Sequence, residues 1–362
     1  MIFEECPPST LIRFRATCYR AYLIVNNYIQ RKHRIDRLLG RFFDDPLGFR
    51  NMQARTATLI SGSIALQFFN KKYYEDSDMD LYVPMRYREE VGDYLTSVGY
   101  CYTPRWNQQK HSTFHDAVWD RSVVNATGNY IMRGVAGVFD FIKKGADGKE
   151  LKVQLIVAAH CPLEIVLYFH STCVMNVISH EAAYCLYPEA TLEYRWSLLC
   201  ATNGPRQDHA LDKYELRGWF IVCEIYSSKA KKLFQAPTDS LGNKPPRTRW
   251  IGDGFCWTIP LDTTGIPRKF LEPSPRSSGL TRDPVTANSW SIIIDNDSQH
   301  ASMKFTRVLT DWLYLGYISD SAQLNADELY EKTFRETFPF FDKRQLTKAK
   351  VSMSSNLQRL RL

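Results

Sequence analysis

Apolar residues recur at helical spacing near the start of the chain. Between Ser9 and Gly40 they follow one another at intervals of three or four residues, at Leu11, Phe14, Cys18, Tyr22, Val25 and Ile29. This spacing places apolar side chains on one face of a helix. Ser9 or Thr10 can cap the start of such a helix, and Gly40 can end its last turn. The pattern therefore predicts a helical segment between Ser9 and Gly40.

The pattern changes in the stretch "ATLISGSIALQFFNKKYYEDSDMDLYV", which begins at Ala57. A short apolar run leads into a Gly-Ser turn, a second apolar run follows, and the stretch closes on alternating acidic and apolar residues. Alternation with a period of two is typical of a strand with one buried face. The predicted elements are a strand at 57–60, a turn at 61–63, a helix at 64–70 and a second strand at 78–83.

Two later alternating segments, "GVFDFIKK" and "KVQLIVA", flank the turn sequence "GADGKE". Two such runs on either side of a Gly-rich turn predict a β-hairpin. If Lys144 pairs with Glu150, then Asp140 pairs with Gln154 and both side chains point to the same face. A slip of one residue would turn Asp140 to the other face.

The second half of the chain has a different character. The segment from Asp208 to Phe234 has apolar residues at helical spacing, and eight of the 17 prolines lie between 237 and 284. The sequence "SWSIIID" predicts a strand, and a helix is predicted at 326–338. The predicted organisation is a basic helical segment at 1–45, a central domain at 46–190, a mainly helical region at 191–347 that contains the Pro-rich insert 237–284, and a flexible tail at 348–362.

Charge and cysteine content narrow the class of protein. The net charge of +7 resides in one segment, where a single acidic residue, Asp36, accompanies Arg13, Arg15, Arg20, Arg31, Lys32, Arg34, Arg37 and Arg41. Such a segment is either a solvated helical face or a contact surface for nucleic acid or an acidic partner. Nine cysteines without a CxxC pair, and no signal-peptide or membrane-spanning run, predict a soluble cytoplasmic or nuclear protein that does not enter a membrane.

The residues from Gly62 to Asp80 can form a nucleotide and metal site. Gly62 lets the backbone approach a ligand closely, Ser63 can cap the following helix, and a helix N-terminus favours phosphate. Asp78 and Asp80 share one strand face, and two neighbouring carboxylates repel each other unless a cation neutralises them. Oxygen ligands of this kind select Mg²⁺ or Mn²⁺.

The motif "LISGSIALQFF…DSDMDLYV" resembles the signature of the DNA polymerase β-like nucleotidyltransferase superfamily. The resemblance implies an α+β fold in which a nucleotidyltransferase-type mixed sheet is flanked by helices. It also implies that Gly62 and Ser63 bind the triphosphate of an NTP and that Asp78 and Asp80 hold the metal ions. The nearby Asp76 is interpreted as a turn residue.

The same family pattern requires a third carboxylate on a later neighbouring strand, where it completes the metal site and can accept the proton of the attacking hydroxyl. Gln154 occupies that position in this chain. Asp140 could replace it if the hairpin has the register given above. Lys213 and Arg217, one helical turn apart, could face the nucleotide or simply belong to a solvated face.

Residues 7–192 also resemble a group of fungal proteins that join a nucleotidyltransferase-like region to an F-box-like N-terminus, here "CPPSTLIRFRATCYRAYLIV". Two functions follow from the resemblances. The first is metal-dependent transfer of a nucleotide from an NTP to an acceptor hydroxyl, with Asp78, Asp80 and Asp140 as catalytic residues. The alternative is a catalytically inactive interaction protein that recruits a Skp-type ubiquitin-ligase adaptor. A third option is nucleic-acid binding through the basic residues 13–41.

Overall fold

The computed structural model describes residues 2–75, 77–124, 133–145, 148–200, 207–234, 248–267, 283–295 and 300–307. Asp76, the predicted helix at 326–338 and the predicted tail at 348–362 lie outside these ranges, as do 237–247 and 268–282 of the Pro-rich insert. Within them, no helix is both long enough and apolar enough to cross a membrane.

The predicted N-terminal helical segment is confirmed, but it is interrupted twice. It consists of α1 (Pro8–Arg15), α2 (Tyr19–Lys32) and α3 (Ile35–Leu39). The first break lies at Cys18, whose backbone is extended and whose sulfur accepts a hydrogen bond from the amide of Ala21. Val25, Tyr28 and Ile29 of α2 are buried in a core that also includes residues of the main sheet. The N-terminal helices therefore pack directly on the central sheet.

An eight-stranded mixed sheet forms the centre of the molecule. Its strands lie in the order β11 (Trp257–Pro260), β7 (Ala182–Cys185), β6 (Asn176–Ile178), β1 (Leu59–Ser61), β2 (Met79–Pro84), β5 (Glu150–Ala158), β4 (Val135–Lys144) and β3 (Cys101–Thr103). Only the β2–β5 pair is parallel among these described strands. The predicted mixed sheet flanked by helices is confirmed at this level.

Helices cover both faces of this sheet, and β2 divides its side chains between them. Met79, Leu81 and Val83 point into one apolar core, whereas Tyr82 belongs to the other. This alternation confirms the predicted strand and places Asp80 on the same face as Tyr82. The first core includes residues of α4 (Pro46–Thr56), α6 (Arg88–Ser97) and α7 (Phe114–Trp119), and the second includes residues of α8 (Pro162–Leu167), α9 (Gln207–Leu216) and α10 (Ser228–Phe234).

The predicted hairpin is confirmed in its register. Lys144 of β4 pairs with Glu150 of β5, and Asp140 pairs with Gln154. Both strands are longer than the alternating segments alone indicate. The pairing fixes where the candidate third carboxylate lies relative to the strand that carries Asp80.

The prediction of a mainly helical region at 191–347 is wrong for the part of it that the structure describes. The helical pattern ends at Gly218, whose φ of +92° belongs to the left-handed region. The chain then forms β9 (Phe220–Val222), which pairs in parallel with β8 (Trp196–Leu198). Strands β10 (Arg249–Trp250), β12 (Asn288–Ile294) and β13 (Ala301–Arg307) form a small second sheet, in which β12 confirms the strand predicted from "SWSIIID". Strand β11 of the Pro-rich insert extends the main sheet.

Candidate functional site

The Gly-Ser turn joins β1 to α5 (Gly62–Asn70). The helix begins at Gly62, where φ is +67°. The expectation that Ser63 caps the helix is wrong, because Ser61 occupies the N-cap position and Ser63 lies buried in the first turn. The Ser61 hydroxyl donates to the carbonyl oxygen of Asn176 at 2.5 Å and makes no cap bond. The first-turn amides, which have no partner within a helix, therefore receive no cap from this side chain.

Asp80 lies beside this turn. A Cβ atom built on Gly62 would lie 2.7 Å from Oδ2 of Asp80, closer than van der Waals contact permits. Glycine at this position therefore serves two purposes. It adopts the positive φ that begins the helix, and it leaves room for the carboxylate to approach the backbone.

Four strands place polar residues in one row across the sheet, which we call the polar row. Ser61 of β1 pairs with Asp80 of β2, Asp80 pairs with Gln154 of β5, and Gln154 pairs with Asp140 of β4. Neighbouring strands are about 4.8 Å apart, so the backbones of Asp80 and Asp140 are separated by about 10 Å. Gln154 therefore occupies the position next to Asp80 at which the family pattern places the third acid, and Asp140 lies one strand further away.

Asp140 is held by side chains of three other residues. Arg105 donates to both of its oxygens, from Nε to Oδ2 at 3.0 Å and from Nη2 to Oδ1 at 2.7 Å. Nε2 of Gln154 donates to Oδ1 at 3.0 Å, and Nζ of Lys152 lies 3.7 Å from Oδ2. A two-pronged arginine–carboxylate pair is among the strongest protein hydrogen-bond arrangements. Both oxygens of Asp140 are thus occupied by protein donors.

Asp80 has the opposite environment. Its carboxylate makes no hydrogen bond or ion pair within the part of the chain that the structure describes. Burial, and next the negative charge of Asp78, raise the pKa of Asp80 to about 7, while the charges of Lys213 and Lys152 oppose this rise. A carboxylate that is costly to ionise and has no protein donor is suited to bind a cation, because a cation favours the ionised form.

The described residues contain no group of three His, Cys, Asp or Glu side chains that could hold a metal ion. The polar row gives the reason, since Gln154 separates Asp80 from Asp140. Asp80 on β2 and Asp78, which directly precedes this strand, remain as carboxylate ligands. A pair of carboxylates, completed by water and phosphate oxygens, is how proteins usually bind Mg²⁺. The residues present therefore fit one such ion at Asp78 and Asp80 better than two ions bound by three acids.

Lys213 lies on α9, and Arg217 follows the last residue of this helix. The charge of Lys213 lowers the pKa of Asp80. The guanidinium carbon of Arg217 lies 3.9 Å from the centre of the Tyr74 ring, and its Nη1 nitrogen is buried without a hydrogen-bond partner among the described residues. Arg217 is thus stacked on an aromatic ring and not on a solvated face, and it retains a donor for an anionic ligand.

Two residues of the site, Arg105 and Lys152, were not predicted from sequence. Lys152 precedes Gln154 by two positions on the same strand, so the period-two pattern already places both side chains on one face. Arg105 follows β3 in an irregular segment, and no local pattern indicates that it contacts Asp140.

Replacing Gly62 by alanine should destabilise the protein more than the same change at Gly252. Both glycines have positive φ, +67° and +81°, but nothing lies within 4 Å of a Cβ atom on Gly252. The backbone strain alone costs about 1–2 kcal/mol, and the contact with Asp80 adds about 1–3 kcal/mol. Urea denaturation of the two variants measures the difference, and equal losses would show that Asp80 does not restrict this turn.

We compared the chain with family models, with curated proteins and with solved structures. None of the three comparisons gave a significant match.

Proposed function

We propose that this chain binds a nucleoside triphosphate together with one Mg²⁺ or Mn²⁺ ion at a site of the nucleotidyltransferase type, and that the site is not organised for efficient nucleotide transfer. The observation that carries the proposal is the polar row, in which Gln154 stands between Asp80 and Asp140. The order β1, Gly-Ser turn, α5, β2, with β5 parallel to β2, supports the nucleotidyltransferase-type fold that the motif resembles.

Each part of the site has a role in binding. The first-turn amides of α5, at Gly62 and Ser63, would donate to phosphate oxygens, as helix N-termini commonly do. Asp78 and Asp80 would hold the metal ion, which neutralises phosphate charge when bound. Lys213 on α9, whose charge acts on Asp80, and Arg217, which directly follows this helix, would supply positive charge for the phosphates.

Transfer needs a group that accepts the proton of the attacking hydroxyl. The side-chain amide of Gln154 has no basic site at neutral pH. Asp140 could accept a proton, but its oxygens already accept bonds from Arg105 and Gln154. To take a proton from a hydroxyl, Asp140 would have to give up at least one of these hydrogen bonds. Binding is therefore supported by more of the residues than transfer is.

The test measures binding and transfer in the same preparation. The full chain, titrated with a fluorescent NTP analogue in Mg²⁺, should bind saturably, and EDTA should reduce the affinity. Incubation with an α-³²P-labelled NTP should leave the label in the nucleotide. Asp78→Asn should weaken binding, since it removes one charged oxygen ligand, whereas Asp93→Asn, an exposed aspartate on α6, should not.

Two outcomes would decide against the proposal. Absence of metal-dependent NTP binding would remove the nucleotide site altogether. Metal-dependent label transfer that Asp80→Asn abolishes would show that the chain is an active nucleotidyltransferase, as the first sequence-based hypothesis holds.

The N-terminal helices support a second candidate function, recruitment of a Skp-type ubiquitin-ligase adaptor. Helices α1 and α2 expose several large apolar side chains within a short segment, more than the isolated apolar residues common on protein surfaces. They are Phe14, Tyr19, Tyr22, Leu23 and Ile24, with exposed fractions of 43%, 75%, 46%, 48% and 45%. Exposed apolar patches of this kind often mark protein–protein interfaces. The same segment is rich in arginine, so nucleic-acid binding through residues 13–41 stays a prediction.

Pull-down of a purified Skp-type adaptor by the full chain tests this candidate. Tyr19→Asp combined with Leu23→Asp should abolish capture, because both side chains are exposed and a charge opposes burial in an interface. The melting temperature should stay within about 2 °C of the wild-type value, since exposed changes rarely cost more than about 0.5 kcal/mol. Capture that the double variant retains would exclude this patch as the adaptor surface.

A further inference from the structure

We infer that Lys152 is a resident cation of the nucleotide site and takes the place that a second divalent ion would occupy between Asp78 and Asp140. The inference deepens the proposed function and rests on it. It concerns the charge balance of the site and predicts how many metal ions the chain can hold.

The position of the ammonium group carries the inference. Nζ of Lys152 lies 3.3 Å from Oδ2 of Asp78 and 3.7 Å from Oδ2 of Asp140. Lys152 projects from β5, the strand between β2 and β4, so one positive charge reaches the carboxylates on either side of its own strand. An ordinary surface ion pair joins one cation to one acid. Here a single ammonium group contacts two acids, one at the start of β2 and one on β4, and these strands are not neighbours in the sheet.

The partly buried setting strengthens the interaction. The side chains of Asp140, Lys152 and Asp78 are 16%, 32% and 41% exposed, so the contact with Asp140 is the more buried of the two. Charges close to one another in such a setting interact more strongly than in bulk water. Without Lys152, the carboxylates of Asp78, Asp80 and Asp140 would face one another across the sheet, with Arg105 bound to the last of them.

A tethered ammonium and a divalent ion would compete for the same oxygens. Binding a metal ion between Asp78 and Asp140 would require Lys152 to leave both carboxylates, and the positive charges would repel each other if it stayed. Oδ2 of Asp80, in contrast, faces Gly62 and forms no ion pair with Lys152. We therefore expect one exchangeable divalent ion in the site, on the Asp80 side.

Counting bound Mn²⁺ by electron paramagnetic resonance tests this assignment. Wild-type chain with a non-hydrolysable NTP analogue should bind one Mn²⁺, and Lys152→Met should bind two. Without nucleotide, Lys152→Met should bind Mn²⁺ at least tenfold more tightly than the wild type does. Lys143→Met is the matched control, because Lys143 is ion-paired with Asp44 and its side chain points to the other face of the same hairpin.

Thermal unfolding gives an independent readout. Lys152→Met should melt at a lower temperature than the wild type in EDTA, because it leaves the carboxylates without their cation, and Mn²⁺ should restore the melting temperature. If Lys152→Met does not fold, Lys152→Gln keeps more of the side chain's polarity and serves for the same measurements.

Two results would overturn the inference. Two Mn²⁺ ions bound to the wild-type chain would mean that metal displaces Lys152. Equal Mn²⁺ affinity of wild type and Lys152→Met without nucleotide would mean that the ammonium does not compete with metal. The nucleotide-free measurement separates this inference from the proposed function, since loss of NTP binding would leave the Mn²⁺ comparison unaffected.

Discussion

Asp80→Asn should stabilise the folded protein and at the same time weaken metal-dependent NTP binding about 100-fold. Burial and the negative charge of Asp78 raise the pKa of Asp80 to about 7. Ionising this carboxylate in the folded chain is therefore costly, and an asparagine side chain of nearly the same shape avoids that cost. Opposite effects on stability and binding are what a functional residue in a strained environment produces.

The stability gain should depend on pH. An unfolded aspartate ionises near pH 3.9. Between about pH 4 and pH 7 the folded wild type therefore keeps a proton on Asp80 that the unfolded chain has lost. The stability that this proton confers is present below pH 4 and is lost as the pH rises to about 7. The asparagine side chain of the variant cannot ionise, so the free energy of unfolding of the variant should exceed that of the wild type by about 4 kcal/mol at pH 8 and by little at pH 4.

Binding should change in the other direction. Loss of a charged oxygen ligand costs about 3 kcal/mol, which is about 100-fold in affinity for the metal–NTP complex. Urea denaturation at pH 4 and pH 8, with a fluorescence titration at pH 8, provides both measurements. Asp93→Asn, on exposed α6, is the control for the change of one carboxylate to an amide. A variant that is less stable than the wild type at pH 8, or that binds equally well, would contradict the role given to Asp80.

The elements nearest the candidate site were predictable because local patterns determine them. Alternation with a period of two identified β2 and the β4–β5 hairpin, and the turn sequence set the pairing of Asp140 with Gln154. The turn at Gly62 was predictable because glycine permits a positive φ and a close approach of another group. Each of these signals lies within about fifteen residues of the element that it predicts.

The remaining features depend on contacts between distant segments. Strand β11 pairs with β7, so that Trp257 lies opposite Cys185, and nothing local in the Pro-rich insert indicates this pairing. The helix predicted across Gly218 fails because β9 instead finds a partner in β8. The pairing of Arg105 with Asp140 likewise joins segments 35 residues apart. Tertiary contacts override local propensity in all three cases.

The Pro-rich insert also contains a buried ion pair that sequence patterns do not reveal. Arg249 and Asp253 are 1% and 6% exposed, and Arg249 donates through Nε and Nη2 to the two oxygens of Asp253. Nη2 of Arg249 also donates to the carbonyl oxygen of Leu186 at 2.9 Å. Asp253 accepts further bonds from the amides of Phe255 and Cys256, both at 3.0 Å. This pair therefore joins the second sheet to the end of β7.

Asp253→Ala should be among the most destabilising single changes in the described chain. It leaves the guanidinium of Arg249 buried without its counter-charge, which costs about 3–5 kcal/mol. Asp262→Ala is the matched control, because Asp262 accepts comparable local bonds from Thr264 but is exposed, and we expect a loss below about 1 kcal/mol. Urea denaturation followed by tryptophan fluorescence measures both.

A double variant separates the buried charge from lost packing. Arg249→Met combined with Asp253→Ala removes both charges, so it should recover part of the stability that Asp253→Ala alone loses. The methionine side chain also keeps contact with the rings of Tyr187 and Trp290, whose centres lie 5.2 Å from the guanidinium carbon. If the double variant were as unstable as Asp253→Ala, the aspartate would act through its bonds to the backbone amides, and the ion pair would not be what holds this segment against the main sheet.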